Sequence, residues 1–165
     1  MLDLFEILRQ KIAAVPEGDH LVGLKAVQLH IETAIRHYTR GQAEQDATAF
    51  TDSVYRCNQA FEGSIKEAYR VLAGQDPENE TPYKIEDYLA GNSVLRERVL
   101  SQFRNYRTDW RNPSTHNYKL DFDDDEALFA MTSVSVFAIA PLRGSFQGLK
   151  LFRQTGRICL ITWHK

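Results

Sequence analysis

Residues 111–118, Arg-Asn-Pro-Ser-Thr-His-Asn-Tyr, combine side chains that are suited to chemistry on a phosphate group. Arginine is always charged in proteins, so Arg111 can only bind or stabilise negative charge. Histidine accepts and donates protons near pH 7, so His116 can serve as an acid or as a base. A permanent cation placed close to such a group suits the cleavage of a phosphodiester bond.

The helix predicted just before these residues should position them. Apolar side chains return every three or four residues from Leu95 to Trp110, which predicts one buried face. A basic stripe borders that face and consists of Arg96, Arg104, Arg107 and Arg111. Arginines on a solvated helix face need no further role, and this simpler interpretation stays open for Arg96 and Arg104. Arg104 and Arg107 are nevertheless our candidates for binding the phosphate groups of a nucleic-acid ligand.

The dipeptide Asn112-Pro113 predicts where this helix ends. Proline disfavours α geometry in the residue before it and has no backbone N–H to donate. We therefore expect the helix to stop at or just before Asn112, with Arg111 at its C terminus. His116 would then lie in a turn between two helices.

Helical spacing of apolar residues continues over most of the chain and predicts an all-α protein, a small bundle of about five helices. The second helix is predicted to close at Gly41. The helical domain spans residues 1–142. Residues 143–165 contain three glycines and a strand-like run, and they form a tail whose structure, irregular or hairpin-like, the sequence leaves open.

An acidic run from Asp121 to Glu126 precedes the last apolar segment, residues 127–142. This composition is typical of a helix N-cap followed by an acidic first turn. Metal binding is the weaker alternative, because adjacent carboxylates at a helix start point in different directions and calcium-loop spacing is absent. We predict no metal and no cofactor.

Length and composition limit the classes of function. A chain of 165 residues is the size of one domain, and a net charge of -2 argues against wrapping nucleic acid over the whole surface. Cys57 and Cys159 cannot form a disulfide framework or a zinc quartet, which favours a reducing, cytoplasmic setting. The segment 127–142 is shorter than the roughly 20 residues that a bilayer requires, so no membrane span is expected.

The motif resembles that of a known family. Arg111 and His116, with Asn112 directly after the arginine, resemble the Arg-x4-6-His motif of the HEPN superfamily of small all-α domains. The extension to Tyr118 resembles the Arg-x4-His-x-Tyr form of HEPN toxins that are paired with minimal nucleotidyltransferase antitoxins.

This resemblance implies a metal-independent endoribonuclease in a toxin or phage-defence setting. It would act on RNA as a homodimer, and an antitoxin would neutralise it by adenylylating Tyr118. The 2'-hydroxyl of RNA would attack the adjacent phosphorus with His116 as acid or base and Arg111 stabilising the phosphorane. Asn112 would bind a phosphate oxygen or orient His116, and Tyr118 could instead stack on a base.

Two alternatives stay open from the sequence. The chain could be a non-catalytic HEPN-like domain that binds nucleotide or RNA, or an adaptor domain of a larger defence system, with Arg111 as a phosphate ligand. Glu62 and Lys66 have the i, i+4 spacing of a surface ion pair. If their helix packs beside the motif, one of them could instead face the site.

Overall fold

The computed structural model describes residues 3–117 and 119–142, and this part of the chain is all-α and contains no strand, as the sequence predicts. A π-helical turn, Arg107–Arg111, connects the fifth helix to the sixth. Tyr118 and the predicted tail, residues 143–165, lie outside the described residues. The α-helices are α1 (Leu4–Ala13), α2 (Asp19–Glu44), α3 (Ala47–Ala73), α4 (Pro82–Gly91), α5 (Glu97–Tyr106), α6 (Asn112–His116) and α7 (Asp124–Phe137).

Helices α2 and α3 form the most extensive contact of the fold, and α7 packs against both. The prediction that α2 closes at Gly41 is wrong, because the helix continues to Glu44 and ends at the left-handed residue Gln45. Gly41 has a packing role instead. A Cβ atom there would lie 2.7 Å from Cε1 of Phe50, so only glycine admits this ring against the α2 backbone.

An aromatic cluster lies at the centre of the core. Phe61 packs against Tyr106 with ring centroids 5.1 Å apart, and Phe103 stacks on Phe137 at 4.5 Å. Both α5 residues in this cluster are at most 3% exposed, which confirms the buried face predicted from the spacing of apolar residues. The opposite side of α5 is therefore free to carry charged groups toward solvent and neighbouring helices.

Helix α7 begins with the cap that its acidic run predicts. The Asp123 side chain accepts a hydrogen bond from the Glu126 backbone N–H at 2.9 Å, and the Glu126 side chain accepts one from the Asp123 N–H at 3.1 Å. This reciprocal pair is a capping box, so the capping interpretation is confirmed. Within the described part of the chain, no helix has the length and apolar character that crossing a bilayer requires.

A buried carboxylate lies where α3 meets α2. The Glu67 residue is 6% exposed, and its carboxylate occupies the space that a side chain at Gly23 would fill. Its Oε2 atom accepts no hydrogen bond from any described residue, and the Nε atom of Arg70 lies 3.6 Å away. Burial raises the pKa of Glu67, and the charge of Arg70 offsets only part of this rise.

This raised pKa gives folding a defined pH dependence. The folded state binds the Glu67 proton more tightly than the unfolded state does. The stability that the protonated Glu67 carboxyl contributes is therefore present at low pH and is lost as pH rises through the folded-state pKa. Glu67→Gln removes this titration. We expect the Tm of the variant minus that of the wild type to increase as pH rises from about 4 to about 7, as measured by thermal melts followed by circular dichroism. Glu44→Gln, at the exposed end of α2, is the matched control, and parallel pH profiles for Glu67→Gln and wild type would contradict the expectation.

Candidate phosphate-binding and catalytic site

Residues 111–116 lie within a continuous helical segment, so the prediction that the helix ends before Pro113 is wrong. The Asn112 N–H donates to the carbonyl of Arg107, five residues earlier, which widens the helix into a π turn. Pro113 then occupies the first turn of α6, where the fixed φ of proline suits helical geometry. Arg111 is thus in the middle of this helical segment, and His116 is at its end.

A buried polar network anchors this segment to the core. Asn58 of α3 donates from Nδ2 to the Ser114 hydroxyl at 2.6 Å, and its Oδ1 atom accepts from the Tyr106 hydroxyl at 3.3 Å. The Ser114 hydroxyl in turn donates to the Arg111 carbonyl at 2.9 Å. Every side chain in this network has a hydrogen-bond partner, and satisfied buried networks hold their elements in one arrangement. The position of α6 relative to α3 and α5 is fixed in this way.

The Arg111 guanidinium is held by two acceptors. Its Nε and Nη2 atoms donate to Oε1 of Glu62 at 2.8 and 2.7 Å, and Nη1 donates to Oδ1 of Asn112 at 3.2 Å. The surface-pair interpretation of Glu62 is therefore wrong, and the alternative that α3 directs it at the site is confirmed. An arginine has five N–H groups and these contacts use three of them, which leaves two, one on each terminal nitrogen. Two such donors can bind phosphate oxygens while Glu62 keeps the side chain oriented.

His116 is exposed at the end of α6, and no described residue makes a hydrogen bond or an ion pair with its side chain. Five positions along an α-helix correspond to a rotation of about 140°. The side chains of Arg111 and His116 therefore leave the helix in different directions. Within the described part of one chain, these two groups are not brought into contact.

The other candidates have varied surroundings. The Asn112 side chain contacts Arg111 and so orients the arginine, whereas we predicted contact with phosphate or with His116. Arg104 pairs with the exposed Glu97. Arg107 binds both carboxylate oxygens of Glu86 at 2.9 Å and lies over the ring of Tyr83. The RNA contacts of Arg104 and Arg107 stay predictions, and both side chains already hold intramolecular ion pairs.

A groove of about 700 Å³ opens beside the Arg111 anchor between α2 and α3. Glu62 forms part of its wall, and His30 and Lys66 line it further along. Burial and the charge of Arg56 lower the pKa of His30, which favours the neutral imidazole. The sequence does not single out His30 as functional, because no acidic or cysteine residue lies at metal-ligand spacing from it. The groove places this proton acceptor on α2, the helix that packs against α3, and α3 carries the Glu62 that binds Arg111.

No protein-family model, no curated protein and no solved structure matches this chain. The similarity of Arg111, Asn112 and His116 to the HEPN motif therefore stays a prediction from the residues themselves. The site has to be argued from its geometry, namely an anchored guanidinium with two unused donors and an exposed imidazole at the end of the same helical segment.

Proposed function

We propose that the protein is a metal-independent endoribonuclease of the HEPN type that acts on RNA in the cytoplasm. The observation that supports this most is the Arg111 guanidinium, which Glu62 and Asn112 orient while two of its N–H groups stay without a partner among the described residues. A phosphodiester is the ligand that such a pair of donors suits best. The nearby exposed His116 supplies a group that can transfer protons at neutral pH.

The proposed reaction is an internal transesterification. One imidazole removes the proton of the RNA 2'-hydroxyl, whose oxygen forms a bond to the adjacent phosphorus. The P–O5' bond then breaks, and a protonated imidazole delivers its proton to the departing 5'-oxygen. The products are a 2',3'-cyclic phosphate and a 5'-hydroxyl, and Arg111 stabilises the extra negative charge of the phosphorane between them.

Two imidazoles are required, and we propose that a homodimer supplies them. The motif contains one histidine, and in one chain His116 and Arg111 point away from each other. A two-fold axis close to His116 would bring the imidazoles of both copies to one phosphate held by Arg111, one as the base and the other as the acid. In a toxin or defence setting, a nucleotidyltransferase antitoxin that modifies Tyr118 would then be a natural means of control.

Cleavage in the presence of a chelator tests this proposal. Purified protein is separated by size-exclusion chromatography, and each fraction is incubated with end-labelled single-stranded RNA in EDTA. We expect cleavage that follows the protein peak at the mass of a dimer, and products with cyclic phosphate and 5'-hydroxyl ends. Activity that elutes apart from the protein, or products with 5'-phosphate ends, would rule out the proposed reaction.

A second candidate is a non-catalytic nucleotide-binding or RNA-binding domain, or an adaptor of a larger defence system. The observation that favours it is the surroundings of His116, because no described residue orients its imidazole whereas Arg111 is firmly anchored. A binder would use the Arg111 donors and would leave the phosphodiester intact. The effect of His116→Ala separates the two candidates.

A further inference from the structure

A separate groove of about 470 Å³ lies between the π turn and α7. Its walls include Trp110 and Pro113, which flank Arg111 and Asn112 in sequence, and Phe129 of α7. Clefts that bind small organic groups commonly have volumes of about 300–1,000 Å³ and are lined by aromatic residues with a few polar side chains. This groove has both properties and lies on the same helical segment as the proposed phosphate site.

Aromatic rings in the groove lie nearly parallel to one another. The Trp110 ring is inclined by 20° to that of Phe129 at a centroid distance of 5.4 Å, and by 24° to that of Phe122 at 6.0 Å. The Tyr106 ring also stacks on that of Trp110, with a centroid distance of 6.4 Å and an angle of 19° between the ring planes. Phe129 is nevertheless 59% exposed, so part of this aromatic surface is open to a ligand.

Polar side chains at the same groove have unused hydrogen-bonding groups. The side chains of Gln102, Asn105 and Ser133 line it and make no hydrogen bond to any described residue. Amide groups beside a flat aromatic surface meet both requirements of a nucleobase, which has π faces and a polar edge. An apolar helix from a partner protein would leave these amides unpaired.

We infer that this groove binds a base of the RNA strand whose phosphate lies on Arg111, by stacking the base on Phe129 and Trp110. The inference rests on the proposed function for its substrate class. Trp110 directly precedes Arg111 and Pro113 follows two residues later, so the base site and the phosphate site lie within one turn of the same helical segment. The groove is then the part of the site that distinguishes an RNA strand from a bare phosphate chain.

Binding of uncleavable RNA tests the groove separately from catalysis. The probe is a fluorescently labelled 2'-O-methyl RNA hexamer, which lacks the attacking hydroxyl, and its comparison is a hexamer of the same backbone with abasic positions. We expect Phe129→Ala to raise the Kd for the base-containing strand about tenfold, the usual size of a stacking contribution, and to leave the Kd for the abasic strand unchanged. Leu128→Ala, at the neighbouring exposed apolar residue outside the groove, should bind both strands like wild type.

Other outcomes would contradict the base site, the proposed nuclease or both. Equal affinities of wild type and Phe129→Ala for both strands overturn the base site, and the proposed nuclease stands if unmodified RNA is still cleaved. Loss of the dimer in Phe129→Ala identifies the groove as an interface between copies and overturns the inference too. If wild type does not bind the base-containing strand, the base site is overturned. If binding depends on Phe129 but unmodified RNA is not cleaved, the base site is supported and the proposed nuclease is overturned.

Discussion

Replacing His116 by alanine should lower the single-turnover rate of RNA cleavage by about 100-fold to 10,000-fold, the range typical of a lost general acid or base. The affinity for RNA should change by no more than about twofold, because Arg111 and its anchors are untouched. Stability should also stay close to that of wild type, since His116 is exposed and its side chain makes no hydrogen bond or ion pair with the described residues. The measurement combines quench-flow cleavage of labelled RNA with anisotropy on 2'-O-methyl RNA.

His20→Ala is the matched control for this variant. His20 lies in the first turn of α2 and lines neither the groove beside Arg111 nor the aromatic groove. Its replacement should leave both rate and affinity unchanged. Cleavage by His116→Ala at the wild-type rate would remove His116 from the mechanism. If wild type itself binds RNA through Arg111 without cutting it, the binding-domain candidate takes the place of the nuclease.

The largest effect on folding is expected from Arg107→Ala. Glu86 is 1% exposed and Arg107 binds both of its oxygens, so the substitution leaves a buried carboxylate without its partner. Removing one partner of a buried ion pair typically costs about 3–5 kcal/mol. For a chain of this size each kcal/mol lowers Tm by about 2–4 °C, so we expect a drop of roughly 6–20 °C. Thermal and urea unfolding measure both quantities.

Arg104→Ala controls for the loss of an arginine from the same helical segment. Its partner Glu97 is exposed, and such surface pairs contribute about 0–1 kcal/mol.

The cost of Arg107→Ala should also depend on pH. Burial raises the pKa of Glu86, and without Arg107 that rise is larger, so the carboxyl group takes up a proton more readily as pH falls. Destabilisation should therefore be smaller at about pH 5 than at pH 8, and equal losses from the two arginine variants would refute the structural role of Arg107.

Features that depend on nearby residues were predictable from the sequence. The buried face of α5 follows from apolar residues at helical spacing, and the capping box of Asp123 and Glu126 follows from residue types three positions apart. The continuation of the helical segment past Pro113 was not predictable in the same way. Proline preferences describe an α-helix, whereas here a π turn and the buried Ser114 contact allow the helical segment to continue.

The residues of the candidate site were predictable from the sequence, whereas their contacts were not. Arg111 and His116 can be selected by residue type and spacing alone. Their surroundings cannot, because Glu62 lies 49 positions from Arg111 in sequence and Asn58 lies 56 from Ser114. Only the packing of α3 against the π turn and α6 brings these residues together, and no periodic pattern in one segment reports it. Likewise, the ion pair between Arg107 and Glu86 depends on how α4 packs against α5 and the π turn.

The π turn also bears on how the sequences of related chains should be aligned. A π turn contains one residue more than an α turn, so the helical residues on either side of it keep nearly the orientation that they would have in a continuous α-helix. Deleting one residue from 107–110 would therefore let the segment relax to regular α geometry, with Ser114 still facing Asn58 and Arg111 still facing Glu62. Deleting one residue from the regular part of α5 would instead rotate everything downstream by about 100° relative to the start of that helix. A related chain that is one residue shorter between Tyr106 and Arg111 is thus expected to keep the site, so an alignment should allow a gap at this turn and none within 97–106.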